Sequence, residues 1–124
     1  MVEFPLKYYA NGVILIMKIV RTKRYLKDLK RLGVSDAEIS KLENAIALDP
    51  FSGDVLQGLE GLRKIRFALG HKGKSGGGRA IYYLMVTDDL AIMLFAYRKS
   101  EQADLTPDQR KAALTMLREL KDDQ

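Results

Sequence analysis

Three patterns predict an α+β domain: a mostly antiparallel sheet, an N-terminal helical hairpin on one face and a C-terminal helix, in the order β-α-α-β-β-β-α. Two amphipathic repeats joined by a two-residue turn fill residues 22–48. Three apolar, β-rich runs separated by glycines and aspartates follow Pro50. A proline-started amphipathic segment then closes the chain. A length of 124 residues allows one domain, and 47% hydrophobic residues supply enough apolar surface to exclude a disordered chain.

Val13–Val20 reads as the first strand because Val13, Ile14, Ile16, Ile19 and Val20 are β-branched. Asn11-Gly12 is a hairpin turn signal, so Leu6–Ala10 can fold back onto it. A start at Met17, with residues 1–16 as an N-terminal extension, is the alternative. Lys18 breaks the run, which falls short of the ~20 residues of a membrane span. Cations in place of a small-residue cleavage site argue against a signal peptide.

Thr22 caps a helix to about Leu32, with Tyr25, Leu26, Leu29 and Leu32 on one face and Gly33 ending it. Ser35-Asp36-Ala37-Glu38 is a capping box. The second helix buries Ile39, Leu42 and Ile46 and stops before Asp49-Pro50. Phe51–Gly61 reads as loop. In Leu62–Leu69, Ile65, Phe67 and Leu69 face one way and Lys64 and Arg66 the other. Gly70–Gly78 is a glycine-rich loop, and Arg79–Val86 is the next strand. Thr87-Asp88-Asp89 turns the chain into Leu90–Tyr97, whose apolar character on both faces suits a central strand. Thr106, Pro107 and Gln109 cap a last helix that turns Ala113, Met116, Leu117 and Leu120 to one side. The helices are expected at one face of the sheet, leaving part of the other open and basic.

The absence of cysteine removes disulfides, thiolate metal sites and cysteine nucleophiles. With His71 as the single histidine, neither a His-rich metal centre nor a Ser-His-Asp triad is expected, and no cofactor or metal is called for. Gly73-Lys74-Ser75 looks like the end of a P-loop, but Ala68 stands where the first glycine is needed, and a strand follows instead of a helix. A formal charge of +5 and no cysteine point to the cytoplasm, with nucleic acid as the first partner to test. Between Gly61 and Arg79, Arg63, Lys64, Arg66, Lys72, Lys74 and Arg79 occur with no acidic residue, and Arg98 and Lys99 close the last strand. Paired as hairpins, these strands bring the cations together, with Tyr97 among them. Tyr83 shares the parity of Arg79, which leaves Tyr82 for the core. Such a cleft suits RNA phosphates and stacked bases. A solvated strand face that discourages edge pairing is the alternative.

Gly61-Leu62-Arg63-Lys64-Ile65-Arg66-Phe67, Gly73-Lys74-Ser75-Gly76-Gly77-Gly78-Arg79, Ala80-Ile81-Tyr82-Tyr83, Phe95-Ala96-Tyr97-Arg98-Lys99-Ser100-Glu101 and Asp104-Leu105-Thr106 resemble the RelE/HigB-like toxins of bacterial type II toxin–antitoxin systems, with the nearest look to the HigB-like branch. The resemblance runs from about Met17 to Leu120 and supports a domain over residues 17–124. It implies a metal-independent endoribonuclease that enters the ribosomal A site, cleaves mRNA and is held by a cognate antitoxin, a small helix-turn-helix protein. It implies catalytic roles for Lys64, Arg66, Arg79 and Lys99, the last interchangeable with Arg98, and RNA contacts from Arg63, Lys72, Lys74, Tyr83 and Arg98. The RelE branch carries a tyrosine near the last helix, where this chain has Ala103-Asp104-Leu105-Thr106, so Tyr97 can take over stacking. The general acid and base stay unassigned. A ParE-like gyrase inhibitor and an inactive relic that only binds its antitoxin are the competing readings.

The core pattern is complete from Met17 onward, so deleting residues 1–16 is expected to leave folding nearly unchanged. A melting temperature lowered by more than the few degrees that ~1 kcal/mol implies would show that the N-terminal hairpin belongs to the domain.

Overall fold

The expected order is present as β4 (Lys18–Arg21), α1 (Lys23–Leu32), α2 (Asp36–Leu48), β6 (Arg63–Phe67), β7 (Gly78–Met85), β8 (Leu90–Arg98) and α3 (Pro107–Asp122). Four short strands add to it: β1 (Val2–Glu3), β2 (Leu6–Tyr8), β3 (Ile14–Ile16) and β5 (Asp54–Val55). The structure, a computed structural model, describes residues 2–3, 6–8, 14–16, 18–70, 77–86 and 89–122. The Asn11-Gly12 turn, Met17, Lys72, Lys74 and the loop residue His71 lie outside the described residues.

Six strands form one sheet in the order β1-β4-β8-β7-β6-β5. β8 sits between β7, antiparallel, and β4, parallel, and every residue from Ala91 to Tyr97 is buried. The parallel pair is the exception in a mostly antiparallel sheet. It requires a long connection, which the helical hairpin begins. The single strand expected over Val13–Val20 divides in two: Ile14–Ile16 pairs with β2, while Lys18–Arg21 joins the main sheet. β4 already uses both edges, one against β8 and one against β1, so β2 cannot pair with it.

One face of the sheet packs on α1 and α2 through Phe67, Ala80, Tyr82, Ala91, Met93 and Ala96. The other face packs on α3 and on the Leu56–Leu62 segment through Ile81, Ile92, Leu94, Phe95 and Tyr97. The helices are therefore not gathered at one face, as the sequence suggests. Ala113 and Leu117 bury α3 against the side opposite the hairpin, and only part of that side stays open. Leu94 and Phe95 both belong to this second cluster because a bulge between β7 and β8 interrupts the alternation. At Gly78 a Cβ would collide with the Phe67 ring, so only glycine lets β7 approach β6 here.

The caps form as their residue types dictate. The Ser35 hydroxyl accepts from Glu38 N (3.1 Å), and Glu38 Oε1 accepts from Ser35 N (3.0 Å). Thr106 and Gln109 make the same reciprocal pair at the start of α3. Gly33 ends α1 with φ 68°, the left-handed conformation that glycine adopts without strain. Leu26, expected on the buried face of α1, is exposed. Tyr82 is the core tyrosine: its hydroxyl donates to Pro50 O (2.8 Å) and accepts from Gly53 N (3.0 Å), fixing the turn after α2.

Polar groups tie the hairpin to the sheet. Glu43, in the middle of α2, is 0% exposed and accepts from Arg21 Nε (2.9 Å), Arg21 Nη2 (2.6 Å) and the Tyr25 hydroxyl (2.9 Å). Beyond Met93, β8 has no further strand partner on the β4 side among the described residues, and α1 and its cap residue bond to it there. The Thr22 hydroxyl donates to Met93 O (2.8 Å), and Asp28 Oδ2 accepts from Ala96 N (3.0 Å). Burial raises the Asp28 pKa against the lowering effect of that amide and of Arg24. No helix among the described residues is long and apolar enough to cross a membrane.

Removing one partner of a buried ion pair costs ~3–5 kcal/mol, because the other charge is stranded. That is a large share of the ~5–15 kcal/mol that holds a domain folded. Glu43→Ala is therefore expected to lower the urea midpoint severely. The Arg21→Met/Glu43→Leu double variant, with no charge left to strand, should recover much of the loss.

Candidate nucleic-acid interface

The basic end of the open face is built by strand register. Arg66 on β6 pairs with Arg79 on β7, and Arg79 pairs with Tyr97 on β8, so three strands present one continuous row. Lys64 lies on the same face, two residues from Arg66 along β6. Two arginines directly across a strand pair have Cβ atoms only ~5 Å apart, and like charges there destabilise the sheet. This row opposes folding electrostatically, a cost that an anionic ligand would offset.

The sequence-predicted residues fall into four groups. Lys64, Arg66, Arg79 and Tyr97 are brought together. Lys99 follows immediately after β8 and is exposed, and its N–H donates to Gly77 O (3.0 Å), which extends the pairing past the strand end. Arg98, Arg63 and Tyr83 are placed elsewhere. Arg98 pairs with Gly78 in the row of Phe67, on the hairpin face, and lies 3.7 Å from Glu101. Arg63 shares that face and holds the 51–53 turn: it donates to Phe51 O (3.2 Å) and Gly53 O (2.7 Å) and covers the Phe51 ring at 5.1 Å. Tyr83 has the parity of Arg79 but sits ~13 Å along the strand from it, packed with the α3 cluster. Lys72 and Lys74 are outside the described residues.

Tyr97 differs from expectation in a second way. Its ring is 0% exposed, so it offers no face on which a base could stack. The Leu105 side chain, also buried, belongs to the same cluster. Arg79 is only 7% exposed, with Nη1 donating to Gly78 O (2.9 Å). What Tyr97 contributes is its hydroxyl, a buried oxygen with no hydrogen-bond partner among the described residues. Burial pushes its pKa up to about 12; the Asp104 carboxylate adds to the rise and Arg79 opposes it.

Asp104 and Arg110 are the residues that sequence reasoning missed. Asp104 Oδ1 stands 4.0 Å from Lys64 Nζ and Oδ2 stands 3.5 Å from Arg110 Nη2. Lys64 and Asp104 are forty positions apart, and no local pattern links them. The one sequence clue is that Asp104 precedes the cap of α3. The arrangement can bind a phosphodiester through several cations and can offer charge-assisted donors to oxygens that gain charge.

The Tyr97 proton is released near pH 10 in the unfolded chain and near 12 in the folded one. Its contribution to stability is therefore complete below pH 10 and lost as pH rises from 10 to 12. Tyr97→Phe deletes an unpaired buried hydroxyl, so it should be at least as stable as the parent at pH 7. It should also lose less stability between pH 10 and 12, as followed by urea denaturation across that range.

The family model described as the RelE toxin of the RelE/RelB toxin–antitoxin system matches residues 17–123. Among solved structures, a double arginine-to-alanine variant of the E. coli toxin RelE in the free state matches with a TM-score of 0.47 at 11% identity. That match covers 68% of this chain and 85% of that one. The family match spans most of the sequence, including every strand and helix that frames the basic row, and the chain belongs to the RelE toxin family.

Proposed function

We propose that this chain is the toxin of a toxin–antitoxin pair and acts as a metal-independent endoribonuclease on mRNA in the ribosomal A site. The observation that carries the reading is the cross-strand row Arg66–Arg79–Tyr97 with Lys64 beside it, cations concentrated where the sheet alone gains nothing from them. Family membership supplies the toxin class. Residues 17–124 form the toxin domain in this reading, with 1–16 as an extension. The protein works in the cytoplasm and is restrained by a small helix-turn-helix antitoxin.

RNA cleaves when its 2′-OH gives up its proton to a base and the 2′-oxygen attacks the adjacent phosphorus. The P–O bond to the 5′-oxygen breaks, a 2′,3′-cyclic phosphate forms, and the leaving oxygen takes a proton. Arg66 and Arg79 hold the non-bridging oxygens and stabilise the charge that grows on them. Lys64 and Lys99 flank the phosphate from β6 and from the end of β8. The Tyr97 hydroxyl is itself buried and held protonated beneath the row, so it can donate to a phosphate oxygen only once the residues over it move aside. Lys72 and Lys74 act as diffuse anchors to ribosomal RNA.

Induced expression should arrest bacterial growth and cut translated mRNAs, with relief by the cognate antitoxin. On programmed ribosomes, Arg79→Ala should lower the single-turnover rate by ~10²–10³, the usual cost of losing a preorganised donor. Lys64→Ala and Lys99→Ala should also slow cleavage at saturation. Lys72→Ala and Lys74→Ala should weaken binding and its salt dependence while sparing the saturated rate. Wild-type rates for all three of the first set would put the reacting phosphate elsewhere. Growth arrest with intact mRNA and trapped gyrase would move the chain to the ParE-like class.

A further inference from the structure

The Asp104 carboxylate stands between two cations from different elements, Lys64 on β6 and Arg110 on α3. Its own segment holds it there. Oδ1 accepts from Leu105 N (2.8 Å), Leu105 is buried, and Gln102 Nε2 donates both to Asp104 O (2.9 Å) and to Gln109 Oε1 (2.7 Å). Gln109 in turn accepts from Thr106 N (2.9 Å) at the cap of α3. The backbone is therefore fixed, while the carboxylate touches its cations loosely, at 4.0 and 3.5 Å, with its side chain 45% exposed. Exposed pairs of this kind contribute ~0–1 kcal/mol, so the fold does not depend on the contact and a competing anion can displace it at little cost.

A carboxylate and a phosphodiester share one feature here: two anionic oxygens on a single centre, able to face two cations at once. We propose that Lys64 and Arg110 form an anion seat for a backbone phosphate of the RNA strand. In the free protein Asp104 occupies this seat as an internal counter-ion that the incoming phosphate displaces. The proposal rests on the RNA reading above and adds to it a residue from α3 and a self-screening device. While Asp104 is in place, the two cations are already neutralised by the protein, so RNA binding there releases fewer salt ions than the cation count implies. Affinity for RNA is held down, and with it the affinity for every other polyanion.

The test uses the full chain and a 2′-O-methylated oligoribonucleotide, which binds without being cleaved, followed by fluorescence anisotropy over a range of salt. Asp104→Asn keeps an oxygen for Leu105 N and removes the charge, so the fold is retained, as a melting curve will verify. Expected are several-fold tighter binding at low salt and a slope of log K against log salt steeper by ~0.7, because one more cationic charge is left to neutralise phosphate and release a counter-ion. Adding Arg110→Ala to Asp104→Asn should abolish the gain. Glu119→Gln, which removes one exposed negative charge elsewhere on α3, should give neither effect. Equal affinity and slope for Asp104→Asn and wild type would overturn the seat, as would an equal gain from Glu119→Gln. Inorganic phosphate, titrated while the Leu105 amide resonance is followed, separates the two readings. Stronger phosphate binding at Leu105 in Asp104→Asn, with no oligonucleotide bound by either protein, would keep the seat and remove RNA as its ligand. Unchanged phosphate binding would overturn the seat whatever the RNA result.

Discussion

The Glu43 carboxylate, fully buried and bonded to Arg21 and Tyr25, is the contact on which the rest of the arrangement depends. Arg21 ends β4, Tyr25 lies in the first turn of α1, and Glu43 sits in the middle of α2. One set of charge-assisted bonds thus fixes the sheet and both helices of the hairpin to each other. A buried ion is tolerated only when its partners are in place, so slippage of α2 by one residue would strand a charge in the core. Apolar contacts alone permit such sliding at lower cost. Through β4 the constraint passes to β8, its parallel neighbour, and β8 carries Tyr97.

Side-chain supplements complete what the strands leave open. β4 ends opposite Met93, and from there Thr22 and Asp28 of the α1 region satisfy the edge of β8. That allows β8 to run on past its parallel partner to Arg98 and to deliver Tyr97 to the basic row. The hairpin covers one face, while α3 and the Leu56–Leu62 segment cover only part of the other. The division of labour follows. Folding is secured on the hairpin side, and cations accumulate where the second cover stops.

The interface is closed toward solvent at Tyr97 and Arg79 in the free protein and open at Arg66 and Lys99. Tyr97 is fully buried in the cluster that includes Leu105, Arg79 is nearly covered, and Asp104 stands between Lys64 and Arg110. A strongly cationic surface attracts any polyanion, and internal carboxylates are a direct way to limit that attraction. The segment joining β8 to α3 is short, and the Gln102–Gln109 bond and the α3 cap keep it in register. Placement of the carboxylate is thus a property of the fold and not of a free loop.

Local sequence determined the helices, their caps and the approximate strands. The Ser35–Glu38 and Thr106–Gln109 boxes, the stop before Pro50 and the alternation in β6 are short-range consequences of side-chain chemistry and chain geometry. Period-two alternation also placed Lys64, Arg66, Arg79 and Tyr97 together, and Tyr82 apart from Tyr83, because parity survives without knowledge of the partners. Only the tertiary structure decided what depends on contacts between distant segments. Examples are the division of the first strand between two sheets, the parallel β4–β8 pair, the Leu94 bulge and the placement of α3 opposite the hairpin. The same holds for the diversion of Arg63 to the 51–53 turn, the burial of the Tyr97 ring and the meeting of Asp104 with Lys64 and Arg110. The reason is physical: a polar side chain spaced like a solvent-facing residue has no local signal for being buried, and Glu43, Asp28 and Tyr97 acquire their environments only when elements far apart in sequence close over them.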